Sequence, residues 1–247
     1  MLAIYKKELR SYFTTAIGYV YIGVFLAASA LLTCYTTLMQ GSYDTSSYFI
    51  YLLFSFIILI PLLTMKLFSE EKKLRTEQLL LTAPVSITGM IMGKYLAAMT
   101  MFVGTLLAST INFFPLYVYK DIETASTETY IPVGPATAKI VGCLIGIILI
   151  GAAFIAIGLF ISSLTENQLA AAVITVAVIV IMLILNIVND FISVYAIRAV
   201  IDWVCVISRF TNFTYGILDF SAMLYYISLA AVFILLTNRV YEKRRWG

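Results

Sequence analysis

The chain contains no histidine, and its three cysteines, Cys34, Cys143 and Cys205, lie far apart with no C-x-x-C pair. That removes imidazole acid–base catalysis, the usual zinc sites and a disulfide framework. Charge is scarce as well: 12% of the 247 residues are charged, against roughly 25% in soluble domains. No G-x-x-x-x-G-K-[ST] occurs, so the chain has no Walker-type loop to cradle ATP phosphates. No basic tract of the kind that tracks nucleic acid is present. No acid or base stands at the centre of a long apolar run, where ion-coupled carriers need a group to carry the coupling charge. Paired carboxylates and serine-centred constellations are missing from the same runs, which argues against a membrane-embedded enzyme.

What remains is apolar. Hydrophobic residues make up 62% of the chain, more than a soluble fold of this size could cover with polar groups. About 20 apolar residues cross a hydrocarbon core of roughly 30 Å, and six runs qualify: 16–39, 48–68, 95–119, 140–162, 169–188 and 222–239. Helices are required, because lipid leaves unpaired backbone groups without partners. The first run is too long for the core of a signal peptide, which spans about 7–15 residues. The expected fold is an all-α polytopic membrane protein with six transmembrane helices.

Six spans put both ends of the chain on one side, and charge selects that side. With the N-terminus inside, 12 of the 16 basic residues are cytoplasmic; only Lys120, Lys139, Arg198 and Arg209 fall outside. Seven acids lie on the outer side: Asp44, Asp121, Glu123, Glu128, Asp190, Asp202 and Asp219. The positive-inside rule therefore places both termini in the cytoplasm.

Residues 1–15 read as an amphipathic interfacial helix. Leu2, Tyr5, Leu9, Tyr12 and Phe13 share one arc, with Lys6, Lys7 and Arg10 off it. A plain topogenic flank is the simpler alternative. The densest charge cluster, FSEEKKLRTEQLLLTAPVS from Phe68 to Ser86, follows the second run. Ser69 is placed to cap a helix whose first turn holds Glu70 and Glu71. Glu71/Arg75 and Lys73/Glu77 stand at helical i, i+4 spacing. Pro84 stops the pattern, and Ser86 caps the next helix. The expectation is a short surface helix over 69–83 with Glu70, Lys73 and Glu77 facing the cytoplasm.

On the outer side, 189–221 is long for a loop but rich in Phe, Val and Ile. Arg198, Asp202, Cys205, Ser208, Arg209 and Asn212 share a polar arc, so helices dipping into the outer leaflet before the last span are expected. In the fourth run Gly142, Gly146, Gly151 and Gly158 form a stripe of small residues. Such a stripe serves as a packing face within the chain or as a dimer seam.

The stretch SEEKKLRTEQLLLTAPVSITGMIMGKYLAA resembles the loop between the second and third spans of ABC-2 type permeases, the membrane subunits of type V ABC exporters. The matching residues are Glu70, Glu71, Arg75, Thr76, Glu77, Leu79, Leu80, Pro84, Gly93 and Lys94; the family's usual Gly before Thr76 is Arg75 here. FISSLTENQLAAA resembles the family's tight turn between spans four and five. The C-terminal region with Gly216, Asp219 and Arg244-Arg245-Trp246 is similar to the gliding-motility and nitrous-oxide-accessory branch.

The resemblance implies a permease subunit that is not itself an enzyme, in the cytoplasmic membrane of a prokaryote. It implies two copies of a separate ATP-binding subunit that hold ATP and Mg, and a second permease copy, identical or related. The 69–83 helix would be a coupling helix. The implied ATPase-contacting residues are Glu70, Glu71, Lys72, Arg75, Thr76, Glu77 and Gln78, with Glu166, Asn167 and Gln168 from the second turn. A non-transporting anchor or mechanotransmitter, passing ATPase work to envelope proteins, would use the same inner motifs.

Overall fold

The computed structural model describes residues 1–41, 43–78, 86–118, 136–189, 198 and 205–246. All the regular elements among them are helical. In chain order they are α1 (Leu2–Thr14), α2 (Ala16–Thr33, extended by a π-helical turn Cys34–Leu38), α3 (Ser46–Thr64) and α4 (Ser69–Lys73). There follow α5 (Ile87–Ser109, continued by a 3-10 turn Thr110–Phe113), α6 (Thr137–Leu164), α7 (Gln168–Asn189), α8 (Val206–Thr214) and α9 (Phe220–Trp246).

Six of these segments are long and apolar enough to cross a membrane: Ala16–Leu38, Ser46–Lys73, Ile87–Val118, Thr137–Leu164, Gln168–Asn186 and Phe220–Arg245. They coincide with the six runs read from the sequence, and the architecture is that of a multi-pass helical membrane protein. The third starts earlier than the expected 95. Ser86 caps it by accepting the Gly89 N–H at 3.3 Å, and the small and charged residues that follow are already helical.

The hub is α6, the most buried of the six, which packs on α3, α5, α7, α8 and α9. Lipid tails are as apolar as leucine, so these contacts hold by close packing rather than by removal from water. Glycine supplies the closeness at two places. A Cβ at Gly151 would overlap the Phe102 ring of α5, and one at Gly158 would overlap the Thr64 side chain of α3. A Cβ at Gly146 would come within 3.0 Å of the rings of Phe210 and Phe213 on α8, while one at Gly142 would have more room, 3.7 Å from the Phe213 carbonyl oxygen. At Gly146, Gly151 and Gly158 the small-residue stripe packs against other helices of the same chain. Phe102 in turn meets Phe56 at 5.4 Å and Phe25 at 6.3 Å, both edge-on, the arrangement that aromatic quadrupoles favour.

The buried face of α1 differs from the expected arc. Glu8 and Tyr12 are buried and Ile4, Tyr5 and Leu9 partly so, whereas Leu2 and Phe13 are exposed. The helix lies on α5 and turns into α2 at Thr15. Its inward face is therefore set by a charged residue that has a partner, which a hydrophobicity pattern cannot show.

At the opposite end, Lys139 Nζ pairs with Asp44 Oδ1 at 3.1 Å. Partial burial opposes ionisation of Asp44, but hydrogen bonds from Ser46 and the Lys139 charge outweigh it and hold the carboxyl below its usual range. Just past the end of α8, Gly216 has a φ of 80°, which allows a left-handed stop: Gly216 N–H donates to Phe213 O at 2.9 Å and Ile217 N–H to Asn212 O at 3.1 Å. Of the outer segment expected over 189–221, residues 190–197 and 199–204 lie outside the described residues.

Candidate functional site

The charged residues of the sequence cluster gather where α1, α4 and the ends of α3, α5, α6 and α9 meet. Lys94, in the second turn of α5, is 1% exposed. Its Nζ lies 2.9 Å from Glu8 Oε1 of α1 and 2.9 Å from Glu71 Oε1 of α4. It also donates to the Leu67 carbonyl at 2.6 Å and stands 5.1 Å from the centre of the Phe68 ring. Lys7 closes the cluster from outside, 3.1 Å from Glu71 Oε1 and 3.5 Å from Glu8 Oε1. Burial alone would lower the Lys7 pKa, but Glu71 and Glu8 outweigh it and the ammonium titrates above its usual range. Two lysines against two glutamates leave the cluster neutral, which is the condition for keeping such charges in a low-dielectric place.

The turn from α3 into α4 is held by one side chain of α6. Ser162 Oγ accepts the N–H groups of Phe68 and Ser69 at 3.1 and 3.2 Å and donates to the Met65 carbonyl at 3.3 Å. Ser69 was expected to cap α4; it is instead the first helical residue, buried, with its hydroxyl donating to Met65 O. Ser162 has taken over the capping role.

The continuous helix expected over 69–83 is interrupted. α4 stops at Lys73, Arg75 adopts a φ of 56°, and residues 79–83 lie outside the described ones. Arg75 N–H donates to Lys72 O at 3.0 Å and Thr76 N–H to Glu71 O at 2.9 Å. These are the two bonds of a Schellman stop, the same motif that Gly216 makes at the end of α8. At Arg75 a side chain occupies a conformation that favours glycine. The expected pairs Glu71/Arg75 and Lys73/Glu77 accordingly give way to others: Glu71 turns inward to Lys94, and Glu77 Oε1 pairs with Arg244 Nη1 of α9 at 2.9 Å. Arg75→Gly should raise the unfolding free energy by about 0.5–1 kcal/mol, read as a higher thermal midpoint of the purified chain. An unchanged or lower midpoint would mean that the arginine side chain contributes something the turn needs.

The sequence-predicted contact residues thus divide between two clefts. One, of about 380 Å³, is lined by Lys72, Glu77, Gln78, Leu164, Glu166 and Arg244. Lys72 Nζ donates there to the Ser163 carbonyl, joining α4 to the end of α6. The other, of about 320 Å³, takes Glu70, Glu71 and Thr76 on one wall and α1 on the other. Arg75 is exposed on the turn itself. Asn167 is exposed, and its Oδ1 accepts the Leu169 N–H at 3.0 Å at the start of α7, next to Gln168. Glu71, expected among the partner-facing residues, is 9% exposed and committed to Lys94 and Lys7. Of the α1 bases, Lys6 and Arg10 are exposed and Lys7 belongs to the buried cluster.

The sequence does not assign Glu8 or Ser162 to the site, and it names Arg244 only within a C-terminal motif, not as a partner of Glu77. Glu8 is the sole acid of α1, and its spacing of four from Ile4 and Tyr12 puts it on their face. Arg244 stands in a basic C-terminal run with nothing to separate it from its neighbours. Neither the comparison with protein-family models nor that with curated proteins finds a match to this chain.

Proposed function

We propose that this chain is the membrane subunit of an ATP-driven exporter of the ABC-2 type, seated on a separate ATP-binding subunit through its two inner turns. The observation that carries the reading is the cleft formed by Lys72, Glu77, Gln78, Glu166 and Arg244. It joins the two turns that the family resemblance makes ATPase-facing, and it is braced from behind. The Lys72–Ser163 and Glu77–Arg244 contacts tie it to α6 and α9, and Ser162 fixes the turn that leads into it. A push delivered there would pass into α3, α6 and α9 with little loss, whereas a loose loop would absorb it.

In this reading α1 lies in the inner headgroup region with Lys6 and Arg10 toward lipid phosphates, and α8 is the outer-leaflet re-entrant segment. Two copies, or this chain and a related one, would form the complete pathway in the cytoplasmic membrane. ATP and Mg would be bound by the ATPase pair, and ATP-driven closure would bias the bundle between two arrangements.

The test is co-expression with a candidate ATP-binding subunit encoded beside it, followed by affinity capture and ATP turnover in nanodiscs. Capture should occur with the unaltered chain and drop about tenfold or more in the charge-reversed pair Glu77→Lys/Glu166→Lys, in line with the loss of interfacial ion pairs. Capture that survives the reversal, with the variant's thermal midpoint unchanged, would leave the cleft without a role in coupling.

A further inference from the structure

The second cleft contains a charge pair that the buried cluster does not neutralise. Lys94 and Lys7 are matched against Glu8 and Glu71, which leaves Lys66 and Glu70 on the same walls. Lys66 is 4% exposed. Its ammonium donates to Thr15 Oγ1 at 3.0 Å and lies 4.6 Å from the centre of the Tyr12 ring. Among the described residues no carboxylate oxygen comes within the 4.0 Å of an ion pair. A hydroxyl and a ring face partly solvate a cation but do not cancel its charge, and a buried cation calls for an anion. Glu70 is half-buried, four residues on, and likewise forms no ion pair among the described residues. The turn at 65–68 separates the end of α3 from α4, and Glu70 attracts the Lys66 ammonium through space without closing an ion pair on it.

The cleft is a cation site and an anion site side by side at the polar end of a membrane bundle. Its volume of about 320 Å³ is about ten times the ~30 Å³ share of a water in the liquid, enough for a group of several heavy atoms. Ser11 and Thr76 add hydroxyls to its lining, and Leu67 and Leu74 give it apolar edges, Leu74 being exposed.

We infer that this cleft binds the headgroup of a phosphatidylethanolamine from the surrounding leaflet, with the phosphate on Lys66 and the primary ammonium on Glu70. A zwitterion satisfies both walls at once. A purely anionic headgroup would gain Lys66 but meet Glu70, and a trimethylated amine would keep its charge but have no N–H to donate to the carboxylate. The acyl chains would leave past the exposed Leu74 into the bilayer. The site does not depend on the exporter reading, since only the lipid and these walls enter it.

The experiment is native mass spectrometry of the detergent-purified full chain titrated separately with short-chain phosphatidylethanolamine, phosphatidylglycerol and phosphatidylcholine, and with soluble phosphoethanolamine. Phosphatidylethanolamine should bind about tenfold tighter than the other two lipids, the worth of one added charge-assisted hydrogen bond, and tighter than the soluble headgroup. Glu70→Gln should erase the preference for phosphatidylethanolamine over phosphatidylglycerol while leaving phosphatidylglycerol binding equal or stronger. Lys66→Gln should weaken all three lipids, and Lys66→Arg should retain them. Equal binding of the three lipids, or a preference unmoved in Glu70→Gln, overturns the site. Soluble phosphoethanolamine binding as tightly as the lipid overturns the lipid assignment. Glu70 is half-exposed, so its variant keeps the test decisive even if Lys66→Gln fails to fold.

Discussion

Lys94→Met loses about 3–5 kcal/mol of stability, the cost of leaving buried charges without their partner. The size follows from position rather than from the number of bonds. Glu8 and Glu71 are both buried, both at 2.9 Å from the same ammonium, and only the largely exposed Lys7 remains to offset them. Three elements, α1, α4 and α5, are tied at that one nitrogen. The measurement is thermal unfolding of the purified chain in a mild detergent, with the monodisperse fraction on gel filtration as a second readout. The triple variant Glu8→Gln/Glu71→Gln/Lys94→Met should recover most of the loss, because an apolar or neutral replacement of a whole buried cluster is often neutral or stabilising. If Lys94→Met melted with the unaltered chain, the cluster would be ornament and α1 would be held by its apolar contacts alone.

Gly18→Ala should cost about 1–3 kcal/mol by overpacking, and its effect should be concentrated in α1. A Cβ there would overlap the carbonyl oxygen of Tyr12 and lie 2.7 Å from its carbonyl carbon. Those are backbone atoms, which cannot rotate away as a side chain could. The corner at Thr15 would have to open, drawing Tyr12 off the Leu63 carbonyl it donates to at 2.8 Å and moving Glu8 from Lys94. Trypsin should then cut at Lys6, Lys7 and Arg10 faster than in the unaltered chain. Gly23→Ala is the matched control, since nothing lies within 4 Å of a Cβ at that position. Equal cleavage in both variants would show that the corner can yield.

These two sites mark the limit of what the sequence makes legible. Length and hydropathy locate all six long helices, because a bilayer imposes one thickness on every span. Ser86 is readable as a cap because capping is a local bond, and it is where expected. Ser69 carries the same local signal and misleads: Ser162, 93 residues away, supplies the acceptor instead. For Glu71 the sequence offers one partner, Arg75 at helical spacing, and gives no sign of the buried Lys94 that it meets instead. What decides is the left-handed turn at Arg75, and a residue that is not glycine gives no warning of it. Glu8 is invisible for a related reason. A lone acid among bases on a short helix reads as a solvated face until the helix is known to lie on α5. The membrane-embedded architecture is therefore written locally, and the charged site at the end of the bundle is written in pairings between residues tens of positions or more apart.

The Glu8–Lys94–Glu71 cluster also sets an order in time. The chain emerges from its N-terminus, so Glu8 appears long before Lys94, and a carboxylate without its cation resists burial. On that account α1 is expected to stay at the membrane surface during biosynthesis until the first two spans and the start of the third have been inserted. It seats only when Lys94 arrives, and α4 is drawn in at the same step. Glu77 waits longer still, for Arg244 at the end of the last span. The charged end of the bundle would then be assembled as two successive latches, the first closing on the N-terminal half and the second recording that the final helix has entered.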